Sequence, residues 1–264
     1  MLRQEEHRGP KFQAPSVREG GPFRLRQKPD PLGDLALTFP VLLVYHLGIL
    51  IVPIRNGADF LTSTLLKLVD YSLAAYAVVS LLFCALLAWI ARSRGQRGIV
   101  RIRRMSWVWF ESTIFAVVMW LGVGWITARI VPNALFFDEV PRISDPLAIP
   151  REPTRSSPLT KIVMAAGAGF HEELVFRVML FGGSIALLRR NACARPYAFW
   201  GATLASSLAF STVHYLGPLG DTFALASFTF RALAGVYLAW VYALRGFAVA
   251  VYTHAFYDVL VFIL

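Results

Sequence analysis

The sequence predicts an all-α fold, a polytopic transmembrane helical bundle of about seven spans. Hydrophobic residues make up 56% of the 264 positions, and only 16% are charged. Soluble domains carry charge on roughly a quarter of their residues. The apolar residues are also grouped in runs of about 20, the length that an α-helix needs to cross a hydrocarbon core of ~30 Å.

The runs divide the chain into a tail, an N-terminal membrane part and a C-terminal core. The predicted spans share length and apolar content and cover 35–54, 72–91, 107–131, 162–188, 197–216, 222–244 and 247–264. Residues 1–34 are polar and predict a disordered cytoplasmic tail without a cleavable signal peptide. Residues 35–158 hold the first helices and a long loop, and 159–264 form a core of the last four spans.

Basic residues are concentrated in alternate connections between the runs, and the net charge is +10. This alternation predicts a cytoplasmic N-terminus for a multi-pass protein. The basic residues do not line one exposed face, so we expect a lipid bilayer as partner and no nucleic acid.

Ionisable residues inside the spans need a reason, because each Asp, Lys or Arg at membrane depth costs about 2.5–3.5 kcal/mol. The residues at such positions are His46, His171, Glu172, Glu173, Arg177, His214, Arg231, His254 and Asp258. Six of them fall into three patterns with defined spacing. Arg231 stands outside these patterns and needs an anion, which Asp258, a glutamate or a substrate carboxylate would supply.

The first pattern is GFHEELVFRVML in the fourth span. Glu172 and Glu173 project about 100° apart on a helix, whereas Glu173 and Arg177 share a face. One carboxylate can pair with the guanidinium while the other points elsewhere, which separates a base from a fixed anion. The alternative is a buried Glu–Arg pair that only holds helices together.

The other two patterns each contain a histidine. Phe210 and His214 lie one turn apart in the fifth span, where a lone histidine is more often a hydrogen-bonded core residue. His254 and Asp258 lie one turn apart in the last span, where the carboxylate can orient the imidazole. A metal-binding pair and a plain interhelical hydrogen bond are alternatives for this spacing. The zinc-protease pattern HExxH fails because Val175 occupies its second histidine position.

Taken together, EExxxR, FxxxH and HxxxD on three separate spans resemble the CPBP family, the CAAX-protease and bacteriocin-processing (Abi) enzymes. The resemblance covers roughly 160–264, and the matching residues are Glu172, Glu173, Arg177, Phe210, His214, His254 and Asp258. The family often has Asn where this chain has Asp258. His171 is outside the pattern, and we expect it to form an extra polar wall of the site.

The resemblance implies a glutamic-type intramembrane endopeptidase like the CAAX prenyl proteases, with water activated by glutamate and histidine. The implied catalytic residues are Glu172, Glu173, Arg177, His214, His254 and Asp258. Either glutamate is a candidate base, with His214 holding the water and His254 on the oxyanion side. The implied enzyme needs no cofactor. In the rival version, a metalloendopeptidase, Glu172, Glu173, His214 and His254 hold a divalent metal such as zinc.

The expected substrate is a protein cut near its C-terminal tail or a membrane segment, and the expected location is the bacterial inner membrane. A non-catalytic scaffold or immunity protein and an ion- or proton-coupled transporter are the alternatives. Helical rise puts Glu173 and His214 roughly 20–25 Å from the cytoplasmic ends of their spans, but His254 only about 10 Å. A common site therefore requires tilted or shifted helices.

Overall fold

The structure is a computed structural model. It describes residues 31–52, 64, 67–68, 70, 72–93, 102–131, 157–190, 197–216 and 220–263. All regular structure within these ranges is helical, without a strand, which confirms the all-α prediction. The predicted tail up to residue 30 and residues 132–156 of the long loop lie outside the described residues.

Seven helices within the described ranges correspond in order to the seven predicted spans. They are α1 (Pro31–Ile51), α2 (Leu73–Ser93), α3 (Ile102–Ile130), α4 (158–188), α5 (Ala198–Val213), α6 (Leu225–Arg245) and α7 (Phe247–Ile263). Residues 31–34, which the sequence assigned to the tail, form the first turn of α1.

Among the helices that the structure describes, three are long and apolar enough to cross a membrane by themselves. They contain the spans Gly33–Ile51, Arg104–Ile130 and Leu225–Arg245, while α5 and α7 are shorter apolar helices. The surface of α3 is apolar and aromatic, with Trp107 55% and Trp125 60% exposed near its two ends. Exposed tryptophans at both ends of a long apolar helix are typical of the two membrane interfaces. The apolar helices indicate an integral membrane protein.

Helix α4 changes its winding where it carries the ionisable residues. It begins as an α-helix at Pro158–Gly167, with the Ser157 side chain accepting a hydrogen bond from the Thr160 N–H. Two π-helical stretches follow, at Ala168–Glu172 and Leu174–Gly182, and the helix ends at Leu188 in α-form. Such π stretches are rare and are frequently found at functional sites.

Helix α7 runs through the core, and most of its residues up to Asp258 are buried. Its backbone approaches α4 closely at Gly169, where an added Cβ would lie 2.8 Å from both the Ala255 Cβ and the Val251 carbonyl oxygen. Glycine at this position therefore permits the two helices to come close enough for their polar side chains to meet.

Candidate active site

Glu173 is the buried centre of the cluster. Its side chain is 0% exposed and joins two helices. Its Oε1 lies 2.8 Å from Nδ1 of His254, and its Oε2 lies 3.1 Å from Nε of Arg177 one turn away. The contact with Arg177 is a buried ion pair without hydrogen-bond geometry, and His254 donates the one hydrogen bond found for this carboxylate among the described residues. Glu173 therefore fixes the position of the His254 ring relative to α4.

Phe210 provides an aromatic surface beneath the charged groups. The Arg177 guanidinium lies over the Phe210 ring, 4.7 Å from its centroid. The same ring lies 5.0 Å from the ring of His214 and 5.9 Å from that of His254. The FxxxH pattern thus places its phenylalanine in contact with residues from both other patterns.

Glu172 faces two histidines at once. Its Oε2 lies 4.0 Å from Nε2 of His214 and 3.9 Å from Nε2 of His254. These separations are too long for direct hydrogen bonds. Two hydrogen bonds of about 2.8 Å that share one oxygen at roughly a right angle span about 4 Å. The geometry therefore suits a water molecule held between the carboxylate and an imidazole.

The backbone and Glu173 determine which nitrogens of the two histidines face Glu172. Nδ1 of His214 lies 2.7 Å from the Phe210 carbonyl oxygen, which can only accept, so Nδ1 carries a hydrogen. Nδ1 of His254 donates to Glu173 in the same way. In a neutral ring the Nε2 atom then carries the lone pair. Nε2 of His254 also lies 3.8 Å from Oδ2 of Asp258.

Residues 154–260 match the family model Rce1-like, described as type II CAAX prenyl endopeptidase Rce1-like. This segment is an Rce1-like domain of the CPBP family. The match confirms the family that the three motifs predicted and supports a protease of the CAAX endopeptidase type. No curated protein and no solved structure matches the chain.

The Rce1-like domain brings together all the residues of the three motifs. The side chains that meet are those of Glu172, Glu173, Arg177, Phe210, His214, His254 and Asp258. The depth estimate from helical rise assumed that all spans begin at one level. The 2.8 Å contact between His254 and Glu173 is incompatible with parallel spans that begin at one level.

His171 packs toward α1, which lies outside the Rce1-like domain. Its ring lies 4.7 Å from the ring of Tyr45 and 5.9 Å from that of His46. Its Nδ1 donates to the Gly167 carbonyl oxygen at 3.0 Å. His46 in turn forms a hydrogen bond with the Tyr76 hydroxyl. These contacts link α1 and α2 to the π-helical part of α4.

Arg231 has a partner that sequence reasoning did not consider. Its Nη2 lies 2.5 Å from Oδ2 of Asp221, in the connection before α6. Asp221 is the only acidic residue in the sequence between α5 and α6, and this is the one feature of the sequence that could have indicated it as the partner of Arg231. The pair lies at the edge of the site, because the Asp221 N–H donates to the His214 carbonyl oxygen at 2.8 Å.

The donor set does not have the spacing of a formed metal site. Within the described ranges, no group of three or more His, Cys, Asp or Glu side chains is arranged to hold a metal ion. Tetrahedral ligands at ~2.1 Å from zinc would lie about 3.4 Å from each other. Glu172, His214 and His254 would have to move together by roughly half an ångström to bind a zinc ion. Metal binding by these residues therefore stays a prediction.

Proposed function

We propose that this protein is an intramembrane endopeptidase that hydrolyses a peptide bond near the C-terminal tail or membrane segment of a protein substrate. The observation that carries the proposal is the position of Glu172 inside an Rce1-like domain. Its Oε2 faces the Nε2 atoms of His214 and His254 at 4.0 and 3.9 Å. A carboxylate and an imidazole on two sides of one small space can hold and activate a water molecule.

The two glutamates have separate tasks in this proposal. Glu173 is occupied by Arg177 at 3.1 Å and by His254 at 2.8 Å, which suits a fixed anion. Glu172 has an 11% exposed side chain, the less buried of the two carboxylates, which suits the general base. Different environments for neighbouring carboxylates are the usual way in which one site obtains both roles.

In the proposed reaction, a water molecule lies between Glu172 and His214. Glu172 takes one proton from the water while the water oxygen attacks the scissile carbonyl carbon. Negative charge then develops on the carbonyl oxygen. When His254 is protonated on both nitrogens, its Nε2–H is the donor that stabilises this oxyanion. Glu172 then gives its proton to the leaving amine as the C–N bond breaks.

The proposed substrate approaches from the outer side of a bacterial inner membrane. This follows from the cytoplasmic N-terminus that the basic connections predict. In that orientation α5 runs outward, and His214 follows its last residue, Val213. Labelling of single cysteines in the connection 217–224 by reagents that do not cross membranes tests the orientation, and reaction from the cytoplasmic side alone would reject it.

The proposed function is tested in cells that carry the wild type or the Glu172→Gln, Glu173→Gln or His214→Ala variant at equal membrane levels. Mass spectrometry compares the C-termini of membrane proteins across the strains. We expect new C-termini with the wild type and their loss in all three variants. If no terminus changes while the variants lose a cellular phenotype, a scaffold or transporter role replaces the proposal.

A further inference from the structure

Arg231 is a buried cation that its partner Asp221 satisfies only in part. It is 9% exposed and lies in the second turn of α6. Nη2 contacts Asp221, whereas the buried Nη1 has no hydrogen-bond partner within the ranges that the structure describes. A guanidinium has five N–H donors in a fixed plane, and the contact of one carboxylate with Nη2 leaves the two N–H groups of Nη1 for another acceptor.

Arg231 is tied to the proposed catalytic histidine through two of its neighbours, Asp221 and Tyr215. The backbone N–H of Asp221 donates to the carbonyl oxygen of His214 at 2.8 Å. The Arg231 guanidinium also lies over the ring of Tyr215, the next residue, at 5.2 Å from its centroid. Two independent contacts therefore hold the guanidinium beside the end of α5 from which His214 reaches Glu172.

The position of Arg231 along α6 is fixed by close helix packing one turn further on. A Cβ on Gly235 would lie 2.9 Å from both Cα and Cβ of Ser207 on α5. The two helices thus approach backbone to backbone, and a shift of α6 along α5 would create clashes. Arg231 is held in register with the site and is not a side chain at a loosely packed helix end.

A substrate that is cut near its C-terminus brings an anion into this region. Its terminal carboxylate must enter a low-dielectric site, which is costly unless a cation pairs with it. Arginine is well suited to the task, because its planar donors match the two oxygens of a carboxylate. Arg231 is the charged donor that the fold provides next to His214.

We propose that Arg231 recognises the free C-terminal carboxylate of the substrate. This inference rests on the proposed peptidase function and makes it more specific. Because Asp221 and Tyr215 hold Arg231 beside the backbone of His214, the carboxylate lies only a few residues beyond the scissile bond. The enzyme then selects short C-terminal tails that end in a free acid, and internal peptide bonds are poor substrates.

The inference is tested by binding in the Glu172→Gln protein in nanodiscs, so that affinity is measured without turnover. The probe is a fluorescent peptide with an S-farnesyl cysteine and three apolar residues after it, ending either in a free acid or in a carboxamide. We expect the acid to bind at least about tenfold more tightly than the amide. In the Glu172→Gln background, Arg231→Gln should reduce the ratio of acid to amide affinity to near one. Arg231→Lys in its place should keep part of the preference for the acid.

The matched control is Arg245→Gln in the same Glu172→Gln background. Arg245 lies on the same helix and is also paired with a carboxylate, Oε2 of Glu111 at 2.8 Å. This control should keep the full preference for the acid. Equal binding of acid and amide by the Glu172→Gln protein, or an unchanged preference after Arg231→Gln, would overturn the inference. Cleavage by the wild type is measured separately, so failure of the peptidase function would be visible even where the acid preference holds.

Discussion

Oε1 of Glu173 and Nδ1 of His254 lie 2.8 Å apart, although 81 positions separate the two residues in the chain. This contact joins the first motif of the Rce1-like domain to the last. It also turns Nε2 of His254 toward Glu172, whose Oε2 lies 3.9 Å away. Glu173 therefore orients the His254 ring so that its Nε2 atom faces Glu172.

The Glu173–Arg177 pair should contribute strongly to stability. Arg177→Met would leave the Glu173 carboxylate buried without its cation, which costs about 3–5 kcal/mol. Arg129→Met is the control, since Arg129 is exposed and lies over Trp125 at 5.0 Å, a contact worth about 1 kcal/mol or less. Unfolding of both variants in nanodiscs measures the difference. Equal stabilities would show that the buried pair is not needed to hold α4.

The close approach at Gly169 should be required for catalysis. Gly169→Ala adds a Cβ that meets Ala255 and the Val251 carbonyl at 2.8 Å, so α4 and α7 must separate. A displacement of catalytic groups by about 1 Å can reduce kcat by about a hundredfold. Gly183→Ala is the control on the same helix, because its Cβ would meet nothing within 4 Å. Similar kcat values for the two variants in a peptide-cleavage assay would refute the prediction.

Asp258 should be replaceable by asparagine. Its Oδ2 lies 3.8 Å from Nε2 of His254, beyond direct hydrogen-bond distance, so we expect a bridging water there, which an amide oxygen can bind as well as a carboxylate. Asparagine is also frequent at this position in the family that the motifs resemble. We expect Asp258→Asn to retain most of the cleavage rate and Asp258→Leu to lose more than about tenfold. Equal losses in the two variants would mean that the carboxylate charge itself is used.

Cleavage should not depend on a divalent metal. We expect purified protein in liposomes to retain its cleavage rate after extended treatment with EDTA, because in our proposal Glu172 itself takes the proton from water. Loss of activity that zinc restores and magnesium does not would favour the rival version. Glu172, His214 and His254 would then be the first ligands to substitute.

The sequence predicted those parts of the fold and site that depend on short-range geometry. The seven apolar runs became seven helices, and Glu173 pairs with Arg177 because residues four apart share a helical face. The Asp221–Arg231 pair could not be predicted, because the turn between α5 and α6 decides where Asp221 lies.

Other features depend on packing between helices that are distant in sequence. The π-helical stretches of α4 gave no periodicity signal of their own. The sequence also left open which glutamate faces two histidines, since the close approach of α4 to α7 at Gly169 sets that geometry. For the same reason helical rise alone could not place His254 in contact with Glu173.

The role of Glu172 as the general base is tested by the cleavage rate of a membrane-protein substrate by purified protein in liposomes. Substrates found by C-terminal mass spectrometry would be tested with the wild type, Glu172→Gln and Glu111→Gln. Glu111 is a control because it is a paired carboxylate on α3 that contacts Arg245, away from the three motifs. We predict that Glu172→Gln lowers the rate by about 10²–10⁴-fold and that Glu111→Gln leaves it unchanged. A folded Glu172→Gln protein that cleaves at the wild-type rate would show that Glu172 is not the general base.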